Sequence, residues 1–270
     1  MLAVDSRAVG IFDSGFGGLT VARAVMDLLP REDVVYFGDT GRYPYGPRPL
    51  DEVREFAHEI AGMLVREHDV KVVVVACNTA AAAALGELED ALGVPVVGVI
   101  RPGAESLVEV TETGRIGVIG TVGTVASGAY QETIASVAGD SVELSCVACP
   151  GFVEFVERGE FEGDQVSVLA ERLLAPVVDA KVDSLLLGCT HYPYLARTIG
   201  RVMGEGVVLV SSADETAFAV SRLLDEQGLR TDATGAPTRR FISSGDVSWF
   251  ADLGRRLLGP ELAAAESHRW

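Results

Sequence analysis

Short runs of apolar, mostly β-branched residues alternate with helically spaced apolar positions along almost the whole chain. Ala8–Phe12, Val34–Phe37, Val72–Ala76 and Val94–Ile100 are near-continuous apolar runs, the pattern of strands buried on both faces. Leu19, Ala22, Met26 and Leu29 recur at helical spacing until Pro30 ends that helix, and Val53, Phe56, Ala57, Ile60 and Leu64 form a second stripe. The pattern then begins again. Ile116–Ile119, Val142–Val147, Leu185–Leu187 and Val207–Val210 read as strands, with helices around Tyr130–Val137, Val166–Val178 and Leu195–Met203. Strands that alternate with helices in this way predict an α/β fold with mostly parallel sheets covered on both faces.

The second half echoes the first. Gly-Ile-Phe-Asp-Ser at 10–14 aligns with Gly-Val-Ile-Gly-Thr at 117–121, and Val74–Thr79 aligns with Leu186–His191. The first pair of segments stands 107 residues apart and the second, which contains Cys77 and Cys189, 112 apart. Two matches at nearly one offset predict two pseudo-symmetric, doubly wound units, with a site in the cleft between them. The boundary falls at Arg101-Pro102-Gly103, where a strand runs into turn residues. Residues 1–100 together with 211–270 then form the first domain and 101–210 the second. The tail has a helix from about Asp214 and a segment Phe241–Gly245 but no third copy, and is expected to pack back onto the first half.

Both aligned cysteines directly follow a strand, where open parallel sheets place their ligands. Each precedes residues of helical promise, and a helix N-terminus stabilises a thiolate. Asp13–Gly18 is a Gly-rich strand-to-helix turn, readable as an anion cradle or as a tight connection. Thr121–Thr124 is its counterpart in the second half. Gly38–Pro47, rich in Gly, Pro and Tyr, fits a lid or a rigid loop equally well.

Composition narrows the chemistry. The chain has 270 residues, and 22 basic against 39 acidic side chains give a net charge of −17, which disfavours nucleic acid as a partner. Met1–Gly10 has no signal-peptide pattern, and the most apolar stretch, Val72–Leu85, is broken by Asn78 and Thr79. With four cysteines and no export signal, these features predict a cytoplasmic protein with reduced thiols and no membrane partner. Only two lysines exist, Lys71 and Lys181, each at the start of a strand and away from the expected site, which disfavours a pyridoxal phosphate Schiff base. His58, His68, His191 and His268 lack metal-ligand spacing, and the glycines after Gly10 do not give a dinucleotide fingerprint. Cys146-Val147-Ala148-Cys149 has redox spacing but ends a strand against Pro150. No cofactor and no metal are expected.

Four motifs together resemble the glutamate racemases of the aspartate/glutamate racemase superfamily: Phe12–Val21, Pro44-Tyr45-Gly46, Ala76–Ala80 and Gly188–Pro193. The likeness runs from about residue 8 to 220. It implies cofactor-independent interconversion of L- and D-glutamate, supplying D-glutamate for peptidoglycan, and a homodimer. It implies that Cys77 and Cys189 are the acid/base pair, with Cys77 taking the proton from D-glutamate and Cys189 from L-glutamate. It further implies that Asp13 and His191 assist the thiols, that Glu157 is an additional acidic residue of the site, and that Asp13, Ser14, Tyr45, Gly46, Asn78, Thr79, Thr190 and His191 contact substrate. Gly151, Glu154, Ala81 and Tyr194 depart from the residues usual in that family, and Gly151 bears on the role of Glu157.

The chemistry is coherent with two thiols. Inverting an α-carbon requires proton removal on one face and delivery on the other, and two opposed groups achieve this without either crossing the carbanion. Other readings are an aspartate or hydantoin racemase, a cysteine hydrolase built on Cys189 and His191, and a non-catalytic binding module. The hydrolase leaves Cys77 idle and pairs residues only two apart, and the binding module needs neither thiol.

Overall fold

The computed structural model describes residues 5–262 and 264–270. The described residues form ten strands: β1 Val9–Asp13, β2 Val34–Gly38, β3 Val72–Val75, β4 Val96–Gly98, β5 Arg115–Gly120, β6 Glu143–Ala148, β7 Ser184–Gly188, β8 Val208–Ser211, β9 Arg239–Ser243 and β10 Glu266–Ser267. They build two sheets, ordered β10-β9-β2-β1-β3-β4 and β6-β5-β7-β8, and every pairing is parallel. The order β2-β1-β3-β4 of the first sheet recurs as β6-β5-β7-β8 in the second. The equivalences match the sequence echo, with β1 on β5 and β3 on β7.

Helices α1 Leu19–Leu28, α2 Leu50–His68, α3 Asn78–Ala91 and α4 Ile100–Val110 follow the first four strands. In the second half come α5 Val122–Ala126, α6 Ala129–Ala138, α7 Phe152–Glu157, α8 Asp164–Asp179 and α9 Ala196–Met203. Helices α10 Ser212–Glu226 and α11 Val247–Leu258 complete the chain. The tail joins the first sheet, because β9 pairs with β2 from Val34↔Arg239 to Gly38↔Ser243. One apolar core runs under both sheets, with Val118, Tyr130, Leu186 and Val210 packed in the same cluster as Ile11, Val74 and Leu107. A smaller core lies beneath α8 and α9, around Phe152, Leu174 and Tyr192. No helix among the described residues is long and apolar enough to cross a membrane.

Two sequence expectations need correction. The run Val94–Ile100 contributes only Val96–Gly98 to the sheet, and Arg101-Pro102-Gly103 forms the first turn of α4 rather than a break. The reason is positional. Pro102 is the third residue of the helix, where a backbone N–H has no intrahelical acceptor, so its absence costs no hydrogen bond. The second concerns Cys189. No α-helix starts directly after it; a 3₁₀ turn at Tyr192–Leu195 intervenes before α9.

The far end of the first sheet is held by a buried ion pair. Lys71, fully buried, donates to Glu32 at 2.5 Å and to the carbonyls of Asp5 and Leu229 at 2.8 Å each. The other Glu32 oxygen accepts from the Thr231 amide at 3.0 Å. Lys71 thus ties together the chain before β1, the α1–β2 connection and the segment leading to β9.

Candidate active site

All the strands of each sheet run the same way, so their carboxyl ends lie together, and the two sets of ends face one cleft. It is lined by Asp13, Ser14, Tyr45, Gly46, Cys77, Asn78, Thr79, Cys189, Thr190 and His191. Every residue named from the sequence except Glu157 is in this lining. Glu157 sits behind it, within 3.2 Å of His191. Both cysteines are free and each is 5% exposed.

The first half presents Cys77 as the residue that caps α3. Its thiol donates to Ser14 Oγ at 3.8 Å. The sequence placed this sulfur at a helix N-terminus, and the Ala80 amide does donate to it, yet the thiolate is not the favoured form. Burial, reinforced by the nearby Asp13 charge, pushes the Cys77 thiol up to about 12. Asp13 itself, at the end of β1, is fully enclosed. Burial raises its pKa against the opposing pull of His191 and the amides of Gly18, Gly15 and Ser14. One carboxyl oxygen accepts from Gly15 N at 3.1 Å, and the other is buried with no partner in the protein.

The second half is built differently. His191 Nδ1 lies 3.8 Å from Cys189 Sγ, and Nε2 lies 3.2 Å from Glu157 Oε1. Burial alone would lower the imidazole, but its hydrogen bonds to Cys189 and Glu157 outweigh that and push His191 up to about 10. The ring is therefore a cation at neutral pH, enclosed between a sulfur and a carboxylate. Glu157 is the last residue of α7, which follows Gly151 at φ +95°, a backbone form that side-chain-bearing residues rarely adopt. Tyr192, fully buried, donates to the carbonyls of Gly120 and Cys149 and fixes the loop after Cys189.

This charge arrangement has a pH signature. A histidine raised above its ordinary value of 6.5 stabilises the fold fully below that pH, and the stabilisation is lost as pH rises towards about 10. The wild-type protein should therefore lose stability across that window more steeply than Glu157→Gln, in which the imidazolium has lost its carboxylate. Urea unfolding at intervals from pH 6.5 to 10 measures both slopes; parallel curves would contradict the pairing.

The two halves meet across the cleft. Thr79 Oγ1 lies 3.0 Å from Thr121 Oγ1 and 3.2 Å from Thr124 Oγ1, and Gly123 N donates to Gly46 O at 3.0 Å. Gly17 is the tightest point. A Cβ placed there would fall 2.4 Å from both His191 Nδ1 and Thr190 Oγ1. Gly17→Ala should displace His191 and lower turnover by about 10²-fold, the scale of a 1 Å misplacement of a reacting group, with the far-ultraviolet circular dichroism unchanged. Wild-type turnover in that variant would show that the contact is not needed.

The loop Gly38–Pro47, open between lid and rigid connection on sequence grounds, is pinned. Fully buried Asp39 accepts from Ser244 Oγ at 2.6 Å, Arg42 Nε at 2.7 Å, Trp270 Nε1 at 3.2 Å and the hydroxyl of Tyr45. Arg42 is sandwiched between Phe56 and Trp270, 4.1 and 3.9 Å from their ring centres. Tyr43, Thr121 and Cys149 also line the cleft, and Tyr130 lies behind it; none was assigned a role from the sequence. Among the described residues no group of three or more His, Cys, Asp or Glu is placed to hold a metal ion.

Comparison with known proteins agrees with this architecture. The Asp/Glu/Hydantoin racemase family profile matches residues 19–220. A glutamate racemase of Parafrankia sp. (strain EAN1pec) is 52% identical, with 97% of this chain and 94% of that protein aligned. The crystal structure of a glutamate racemase isoform from Bacillus anthracis superposes with a TM-score of 0.92 at 40% identity, covering 98% of this chain and 97% of that one. That of the Francisella tularensis glutamate racemase in complex with D-glutamate gives 0.91 at 33% identity, covering 98% of each chain. With the profile spanning most of its length and half its residues shared with such a relative, the chain belongs to the Asp/Glu/Hydantoin racemase family, among the glutamate racemases.

Proposed function

We propose that the protein interconverts L- and D-glutamate without a cofactor, using Cys77 and Cys189 as opposed acid and base. The observation that carries this reading is the pair of buried, free thiols in one cleft, one at the end of the third strand of each unit. The two are not electrostatically alike. Cys77 is held as a neutral thiol by burial and by Asp13, whereas Cys189 faces the His191 cation.

That asymmetry supports a division of labour. Cys189, beside the cation, takes the α-proton of L-glutamate; Cys77, already protonated, delivers its proton to the other face and yields D-glutamate. The reverse reaction exchanges the roles. Asp13, with one oxygen free of protein partners, is placed to accept from the substrate ammonium or from the Cys77 proton. The Glu157–His191 pair holds the charge that faces Cys189. Ser14, Tyr45, Gly46, Asn78, Thr79 and Thr190 bind and orient the substrate. Exclusion of water and preset hydrogen bonds lower the barrier that general acid–base catalysis alone, at about 10²–10⁴-fold, leaves.

The product would feed D-glutamate to peptidoglycan synthesis in the cytoplasm. The two units, 1–100 with 211–270 and 101–210, would act as the domains that enclose substrate. A homodimer rests on the family resemblance alone, and sedimentation at assay concentrations tests it. Substrate choice is tested by polarimetric circular dichroism of L-glutamate and L-aspartate with protein dialysed against chelator and free of pyridoxal phosphate. Loss of signal with glutamate and none with aspartate is expected; the opposite preference would overturn the assignment.

A further inference from the structure

We infer that Tyr130, in the second unit, is a positioning residue for Asn78, in the first, and that it fixes which end of the Asn78 amide a ligand meets. Tyr130 is the second residue of α6 and is 1% exposed. Its hydroxyl donates to Asn78 Oδ1 at 2.6 Å, and this is its one hydrogen bond among the described residues. Asn78 opens α3 directly after Cys77, is 2% exposed and lines the cleft. Its Nδ2 is buried without any partner in the protein.

Those observations together orient the amide. A side-chain amide has one acceptor end and one donor end of nearly the same shape, so only its partners decide which way it faces. With the amide reversed, the phenolic hydrogen would have no acceptor and the amide oxygen would be offered to the ligand. A buried donor left without an acceptor is costly, so Tyr130 holds Oδ1 and leaves Nδ2 as the group available to a ligand. A free N–H pair fits a carboxylate and not an ammonium. Asn78 therefore sets the polarity of its part of the cleft, and Tyr130 sets Asn78. The bond also links α6 of the second half to the start of α3 in the first.

The inference rests on the reading of Asn78 as a substrate ligand, and the test separates the two. Tyr130→Phe and Tyr130→Met both delete the hydroxyl while keeping an apolar side chain, and each is made in wild-type and Asn78→Ala backgrounds. In the wild-type background kcat/KM for glutamate should fall roughly tenfold, the scale of one hydrogen bond, with most of the change in KM. In the Asn78→Ala background the same substitutions should have no further effect. A merely structural role would lower activity equally in both backgrounds, and that result would overturn the inference. So would wild-type kcat/KM in both single variants. Asn78→Ala alone tests the underlying reading: unchanged KM there would remove Asn78 from the substrate site whatever Tyr130 does.

Discussion

Replacing either cysteine by serine should reduce racemisation by at least about 10²–10⁴-fold, the contribution of one positioned acid or base. The loss should be equal in the two directions, because the equilibrium between enantiomers is fixed and kcat/KM must fall together for both. Rates alone therefore cannot tell which thiol serves which enantiomer, but isotope exchange can. In deuterium oxide, Cys77→Ser retains the group that faces L-glutamate and should exchange its α-proton slowly without turnover; Cys189→Ser should do the same for D-glutamate. The two environments differ in this sense: a neutral buried thiol stands beside Asp13, and the other sulfur stands beside the His191 cation. Racemisation at the wild-type rate in either variant would remove the two-thiol mechanism.

The largest effect on stability is expected far from the cleft. Lys71→Met strands the Glu32 carboxylate, which is 3% exposed, and leaves two carbonyls without their donor. Breaking a buried pair by removing one partner costs about 3–5 kcal/mol, which for a chain of this size lowers Tm on the order of 10 °C. Lys71 immediately precedes β3, whose opposite end leads into Cys77, so turnover of the folded fraction should be unchanged at low temperature. Lys181→Met is the control. Its side chain is exposed and should shift stability by no more than about 0.5 kcal/mol. Scanning calorimetry of the two variants distinguishes them directly.

The parts of the fold that were legible in the sequence were those governed by local pattern. Strands buried on both faces must be apolar throughout, so β1, β2, β3 and β7 stand out as runs, and duplication shows as repeated strand-plus-turn segments. The start of α4 was hidden because Pro and Gly signal a break unless their position within the helix is known. The helix expected around Leu195–Met203 is α9, but the helical promise directly after Cys189 resolves into a 3₁₀ turn, which nothing local distinguishes from the first turn of an α-helix.

Within the cleft, residues adjacent to strand ends could be placed from the sequence, since the topology of parallel sheets collects them. Partners distant along the chain could not. Tyr130 meets Asn78 from 52 positions away, and Asp39 meets Ser244 from 205 and Trp270 from 231. Glu157 was named only through resemblance, and it meets His191 from 34 positions away. The state of the thiols was also beyond the sequence. The helix N-terminus at Cys77 suggested a stabilised thiolate, and burial, reinforced by the Asp13 charge, reverses that expectation.

The claim at the centre is that two groups on opposite faces exchange the α-proton with solvent. L-Glutamate is incubated with the wild-type protein in deuterium oxide, and both enantiomers are recovered at low conversion and analysed by mass spectrometry. The account predicts that D-glutamate carries deuterium at the α-carbon from the first turnovers while the remaining L-glutamate is essentially unlabelled. Product that retains the original α-hydrogen, or substrate labelled as fast as product, would mean that a single group works on both faces, and would contradict it.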